Sequence, residues 1–445
     1  MRKSPLPQPG PKYFFKLKLR SMPSQYICIV QTSMTSEPSQ QALPFPIVYQ
    51  HEANINYELQ YTRWLLTVLG VWPMMTNDVT KRTKIFSILL IGISILAIAF
   101  ILVPITVFMF VKMKTLRTRL GFIGPIGFRI SNMFKIIMMM YRARVIKECI
   151  NQVKFDWLSV TIRDEENAMF RSVILGRTLT IVCGIFMLSG GVFFHIVMPL
   201  LKPRKFNAFN VTIRPHAYPG YDFFVDSQAT PAYEIIFSAH FLCATSGYVV
   251  VTASCNLAAV FVSHISGQVQ VIKLKLARLQ QNDGEKTEDL SRQIASIVKS
   301  HVRILKFSDK IKMVFREICL VEVVLSTIVI CWLEFYCITE WKNSATISIV
   351  GYCVILGSFS FNVFIYCYIG QILTDQCESI GQMAYMIDWH RIPPRNILSL
   401  SMIISMARYP RHITAGGMID LTIRSFGDVM KTSIAYLNVL TAITA

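Results

Sequence analysis

The side chains able to do chemistry are scattered through this sequence. His240 and His264 stand too far apart for an i,i+4 pair of metal ligands, and no His-Glu-x-x-His, P-loop or Gly-x-Ser-x-Gly pattern occurs. No catalytic residue, cofactor or metal is therefore expected, and the chain does not read as an enzyme. Eleven cysteines are present, without a Cys-x-x-Cys pair and with none between Pro199 and Pro231. They read as small hydrophobes within apolar runs, not as a disulfide framework or zinc site. What remains is charge in apolar surroundings. Glu322 and Glu334 interrupt one apolar run, Arg129 and Lys135 another. An intramembrane carboxylate is either an ion-path or proton site, or a bundle-facing group with a polar partner. Arg129 and Lys135 are candidate partners.

A second charged pattern closes the chain. Residues 426–444 look helical but are only half apolar. At about 100° per residue, Arg424, Asp428, Lys431, Thr432, Ala435, Val439 and Ala442 share one stripe. Phe426, Val429, Met430, Leu437 and Leu440 take the other side. Charge is expensive at hydrocarbon depth, so the stripe should face protein or water. Two readings stay open: several chains turn it to a common axis and line a water-filled path, or the charges sit at the membrane–water interface.

The elements that must hold these residues follow from composition. Of 445 residues, 53% are hydrophobic and 16% charged, and the mean hydropathy is +0.45. These values place the chain among all-α, multi-spanning membrane proteins. The net charge of +19 then reflects loops facing anionic membrane lipid, and no nucleic-acid partner is expected.

Residues 1–56 read as a disordered cytoplasmic extension without a signal peptide. Residues 57–73 form a short amphipathic, interfacial stretch. Apolar runs able to cross about 30 Å of hydrocarbon follow at 85–111, 120–141, 178–200, 232–262, 318–338 and 347–373. A seventh is split at Pro410 into 397–407 and 426–444. Residues 57–373 thus carry six spans with their cytoplasmic extensions, and 374–445 carry an anchor helix and a pore-lining helix. Stretches 145–170 and 270–315 have helical apolar spacing and should prolong membrane helices inward. Asn282-Asp-Gly284 reads as a turn.

Placing the N-terminus inside puts thirty Lys and Arg residues in inner segments and nine in outer loops. That bias favours N-terminus in and C-terminus out, although 112–119 alone runs against it. The sequon Asn210-Val-Thr212 then lies outside. A ligand pocket is expected between the outer halves of spans two, three, four and six. Its candidates are Phe122, Phe128, Met187, Phe193, Phe194, Phe237, Phe241, Tyr352 and Phe359. Such an apolar pocket suits small volatile ligands.

From about Tyr57 onward the chain resembles the insect odorant receptor family. The marks are Asp156-Trp157, Gly176-Arg177, Pro231-Ala-Tyr-Glu234, His264-Ile-Ser-Gly-Gln268 and Cys367-Tyr-Ile-Gly-Gln371. Ala384-Tyr385, Trp389 with Pro393, Thr414-Ala-Gly-Gly417 and Lys431-Thr-Ser433 with Tyr436 complete them. The family often has Tyr where His390 stands. The resemblance implies seven helices with a cytoplasmic N-terminus. It also implies a heterotetrameric, odorant-gated, non-selective cation channel assembled with the shared coreceptor Orco in the plasma membrane of olfactory neuron dendrites. It places the pore on the outer part of the seventh helix, with Val439 at a hydrophobic constriction and Ala435, Asp428 and Lys431 along the path. A G-protein-coupled receptor is the alternative from another class. Its orientation would put thirty basic residues outside, and no Asp-Arg-Tyr or Asn-Pro-x-x-Tyr motif supports it. A gustatory receptor shares the architecture but would carry different C-terminal marks. A secondary transporter should show internal repeats, which are missing.

Overall fold

The computed structural model describes residues 45–76, 80–115, 118–119, 121–201, 205–206, 212–214, 216–223, 226–281, 287–342 and 346–444. The expected disorder of residues 1–44, the sequon at Asn210 and the turn at 282–284 lie outside them. The chain divides into two compact units, residues 1–53 and 54–445. The first is described only where it begins helix α1 (Phe45–Val68). Residues 45–56 are thus helical, a correction to the disordered extension expected there. Between Pro46 and Pro73 no proline interrupts the chain, and Gly70, at φ +76°, ends the turn after α1.

Within the second unit, Leu59, Thr62, Leu66 and Leu69 recur at three- and four-residue spacing and are buried, while Trp64 and Val68 on the other face are exposed. Helices α2 (Lys81–Lys112), α3 (Ile123–Tyr141) and α4 (Ala143–Ser159) follow. Helix α5 (Arg163–Val192) continues through a π-helical turn, Phe193–Val197, and a last turn, Met198–Leu201. Then come α6 (Ala232–Gln281), α7 (Thr287–Lys342), α8 (Thr346–Tyr385), α9 (Pro394–Ala407) and α10 (Ile423–Thr444). Two-residue antiparallel pairs, Lys205–Phe206 with Thr212–Ile213 and Thr414–Ala415 with Ile419–Asp420, are the described β-structure.

Helices α2, α5, α6, α7 and α8 are long and apolar enough to cross a membrane. Helices α3, with Arg129 and Lys135, and α10, with its polar stripe, complete the seven. A helix suits this setting because it satisfies its own backbone groups where water is missing. At 1.5 Å per residue α6 and α7 are about 75 and 84 Å long, more than twice the hydrocarbon thickness. Their inner ends bury Leu276, Ile294, Ile297 and Ile304, as the helical spacing of 270–315 led one to expect.

Helix α8 does not stop near residue 373 but runs to Tyr385. Cys377, Ile380, Gly381 and Ala384 form a buried three-and-four stripe that carries it inward. A Cβ added at Gly381 would lie 2.6 Å from the Ala407 Cβ, so α9 packs closely there. Gly370 is tighter still, since its added Cβ would meet the Leu421 carbonyl oxygen at 2.2 Å. Gly416 and Gly417 take positive φ in the hairpin before α10, and Gly416 N–H donates to the Arg316 carbonyl at 2.8 Å.

Pro104 lies inside the continuous helix α2 and removes one bond of its ladder. It has no N–H to give to the Phe100 carbonyl four residues back. The Tyr221 hydroxyl donates to that carbonyl instead, at 2.6 Å. Gly220, at φ +115°, lies against the Pro104 carbonyl, where an added Cβ would sit at 2.4 Å. The loop before α6 is thereby fastened into the outer half of the bundle.

Candidate ligand cavity and polar helix face

A cavity of about 450 Å³ opens in the outer half of the bundle. Helix α3 supplies Phe128 and its N-cap Phe122, α5 with its π turn supplies Met187 and Phe194, and α8 supplies Tyr352 and Phe359. Helix α6 adds Tyr248, α7 adds Trp332 and Tyr336, and the fastened loop adds His216 and Tyr218. Glycines let the walls close. A Cβ at Gly191 would meet the Tyr248 ring at 2.2 Å, and one at Gly190 would meet Ser358 Oγ at 2.4 Å. The π turn that follows them carries Phe194 to the wall. Such turns widen a helix and often mark functional positions.

Six of the nine candidate pocket residues, Phe122, Phe128, Met187, Phe194, Tyr352 and Phe359, line this cavity. Three do not. Phe193 packs near Gly351, Phe237 stacks on Tyr233 with ring centroids 6.1 Å apart, and Phe241 is absent from the wall. Consecutive residues on a helix point 100° apart, so Phe194 lines the cavity and Phe193 does not. Sequence reasoning left out span five and the outer loop, and so missed Trp332, Tyr336 and Tyr218. The available signal was the aromatic content of 332–336 and the Tyr218-Pro-Gly220 turn.

Helix α10 buries Val429, Ser433 and Leu437 and presents Asp428, Lys431, Ala435 and Val439 on its exposed side. Asp428 and Lys431 stand 4.0 Å apart. Leu437 belongs to a small cluster with Cys331, Trp332 and Phe335, against which Tyr336 packs. Trp332 and Tyr336 therefore touch both the cavity and the seat of α10.

Both intramembrane carboxylates have polar partners, one of them a charge. Lys135 forms an ion pair with Glu322, whose carboxylate also accepts from Asn362, from Ser131 at 3.2 Å and from Ser326 at 3.2 Å. Glu334 accepts from Ser433 at 3.1 Å, joining α7 to α10. Both carboxylates are thus bundle-facing groups with polar partners.

Toward the inner side the residues around Asp156-Trp157 and His264 come together. Trp157 donates to Glu58, His264 lies 3.3 Å from Glu58 and 3.2 Å from Asp156, and Arg303 reaches Asp156 at 2.7 Å. His264 is more than thirty residues into α6, whereas about twenty cross hydrocarbon, so it lies below the membrane core. Burial opposes its protonation, but the Glu58 and Asp156 carboxylates outweigh burial and push it up to about 9. Arg177 stacks over Tyr57 at 3.7 Å and binds Gln60 at 3.1 Å, tying α5 to α1. Among the described residues no group of three His, Cys, Asp or Glu could hold a metal ion.

Comparison with known proteins gives one consistent result. The family model described as 7tm Odorant receptor matches residues 120–434. Odorant receptor 85b of Drosophila melanogaster is 22% identical over 392 residues, 86% of this chain and 97% of that protein. Odorant receptor 13a of the same species is 22% identical over 329 residues, 70% of this chain and 77% of that protein. The solved insect olfactory receptor OR5 from Machilis hrabei superimposes with a TM-score of 0.65 at 12% identity, covering 86% of this chain and 99% of OR5. OR5 in complex with eugenol matches equally well, with a TM-score of 0.65.

Proposed function

The chain belongs to the 7tm odorant receptor family, and from that premise we propose that it is the odorant-binding subunit of a ligand-gated, non-selective cation channel. In this reading it assembles with the coreceptor Orco as a heterotetramer in the plasma membrane of olfactory neuron dendrites. Its ligands are small volatile molecules held in the 450 Å³ cavity. The eugenol bound by OR5 supports that ligand class.

One observation carries the mechanism. Trp332 and Tyr336 line the cavity and also pack in the cluster that holds Leu437 of α10. A ligand that presses on these rings acts one side chain away from the pore helix. It opens the channel only if it binds the open arrangement more tightly than the closed one. The exposed stripe of α10 then faces a shared axis, with Val439 as the constriction. Asp428 attracts cations near the path, and Lys431 beside it moderates that charge.

Co-expression with the coreceptor, with current recorded across an odorant panel, tests the reading. Odorant-evoked cation current is expected. Val439→Lys should reduce inward current or change rectification at unchanged surface amount. Unaltered permeation would take Val439 out of the pore.

A further inference from the structure

One end of the cavity is built to hydrogen-bond. The Tyr218 phenol, which lines it, accepts from Arg129 Nη2 at 3.4 Å. A hydroxyl that accepts from a guanidinium turns its own hydrogen elsewhere. Among the described residues that hydrogen has no acceptor. Arg129 is fully buried, its charge lies over the Tyr218 ring at 5.8 Å, and among the described residues no carboxylate pairs with it. Its Nε and Nη1, both amide atoms of Asn132, Nε2 of His195 and both ring nitrogens of His240 are buried and unpartnered among the described residues. Each such atom has given up water without a replacement partner, which is unfavourable. Their concentration around Tyr218 calls for a polar partner at this wall.

The loop is anchored on α2 at Phe100 and Pro104, next to Tyr218. Tyr221 donates to the Phe100 carbonyl, and Gly220 lies against the Pro104 carbonyl. These anchors hold Tyr218 at the cavity wall. A donor that itself accepts from a cation is a strengthened donor. A carboxylate ligand would have to shed its hydration against apolar walls, with Arg129 sealed behind the ring. A neutral carbonyl oxygen accepts without that cost.

We infer that Tyr218, with Arg129 as its positioning residue, hydrogen-bonds a carbonyl oxygen on the ligand, so that the cavity selects small ketones, aldehydes and esters over hydrocarbons of equal size. The inference rests on the cavity being the odorant site.

The test uses the full chain co-expressed with the coreceptor. Probes are 2-heptanone, heptanal and methyl hexanoate against n-octane and 1-octene. In the unaltered receptor the active carbonyl compounds should be at least about tenfold more potent than the hydrocarbons. Tyr218→Phe, which keeps the ring, should weaken them about tenfold and leave the hydrocarbons unchanged. Surface biotinylation controls for folding. A second readout is independent of gating: the infrared stretch of ¹³C-carbonyl 2-heptanone on the purified complex should fall on binding and return in Tyr218→Phe. Equal potency of carbonyl and hydrocarbon probes, or Tyr218→Phe without effect on either readout, overturns the inference. Met187→Trp separates the premise, because it fills the cavity and should abolish every response. Responses that survive it overturn the cavity as the site, and the inference with it.

Discussion

The Tyr221 hydroxyl donates at 2.6 Å to the Phe100 carbonyl, the one that Pro104 leaves without its helical amide. The bond missing from the helix ladder and the anchor of the loop are thus one and the same contact. Tyr221→Phe should destabilise the protein by about 1–3 kcal/mol, because it strands a buried carbonyl. In a Pro104→Ala background the helix supplies its own N–H, and the same Tyr221→Phe change should cost far less. Thermal unfolding of the four proteins in detergent measures the coupling. Additive effects would show that the contact holds nothing.

Lys135 and Glu322 are both nearly inaccessible, at 1% and 5% of side-chain surface. Removing one partner leaves a lone charge within the bundle. Lys135→Met or Glu322→Gln should each destabilise by about 3–5 kcal/mol, and Lys135→Met with Glu322→Leu by much less. Thermal stability of the purified variants decides. If the double variant is as unstable as the sum of the singles, the pair is not the unit that matters.

Gly370 and Gly357 sit on the same helix with opposite surroundings. A Cβ at Gly370 would meet the Leu421 backbone oxygen at 2.2 Å, whereas none of the described atoms lies within 4 Å of one at Gly357. Gly370→Ala must push the entry of α10 off α8, at about 1–3 kcal/mol. Gly357→Ala should be neutral or slightly stabilising, since alanine favours a helix. Melting temperatures and surface abundance should therefore fall for the first variant alone.

The inner cluster gives a pH dependence with a definite sign. His264 is raised from 6.5 to about 9 by Glu58 and Asp156, against the pull of burial, with Arg303 on the far side of Asp156. A raised folded-state value means stability that is fully present below pH 6.5 and lost as pH climbs through about 9. The melting temperature should drop between pH 6.5 and 9.5. His264→Gln should melt lower at pH 6.5 and lose most of that slope. Parallel curves for the two proteins would refute the assignment.

Much of this was readable along the chain. Apolar runs announce membrane helices because transfer into hydrocarbon is nearly additive over neighbouring residues. The break at Pro410 and the polar side of residues 424–442 were legible for the same local reason, as was the placement of Phe122, Phe128, Met187, Tyr352 and Phe359 in the outer half. Arg129 and Lys135 stood out as candidate partners for Glu322 and Glu334, but which pairs form was not legible. Nothing near Lys135 in sequence names Glu322, and nothing near Arg129 names Tyr218, which are 187 and 89 positions away. The end of α8 escaped too, because the polar residues between Leu373 and Tyr385 conceal a buried stripe that only α9 explains. Hydropathy is a property of a segment and its solvent, so the sequence determined which stretches enter the membrane. A hydrogen bond or ion pair is a property of two groups at about 3 Å, and only the packed bundle decides which groups come that close.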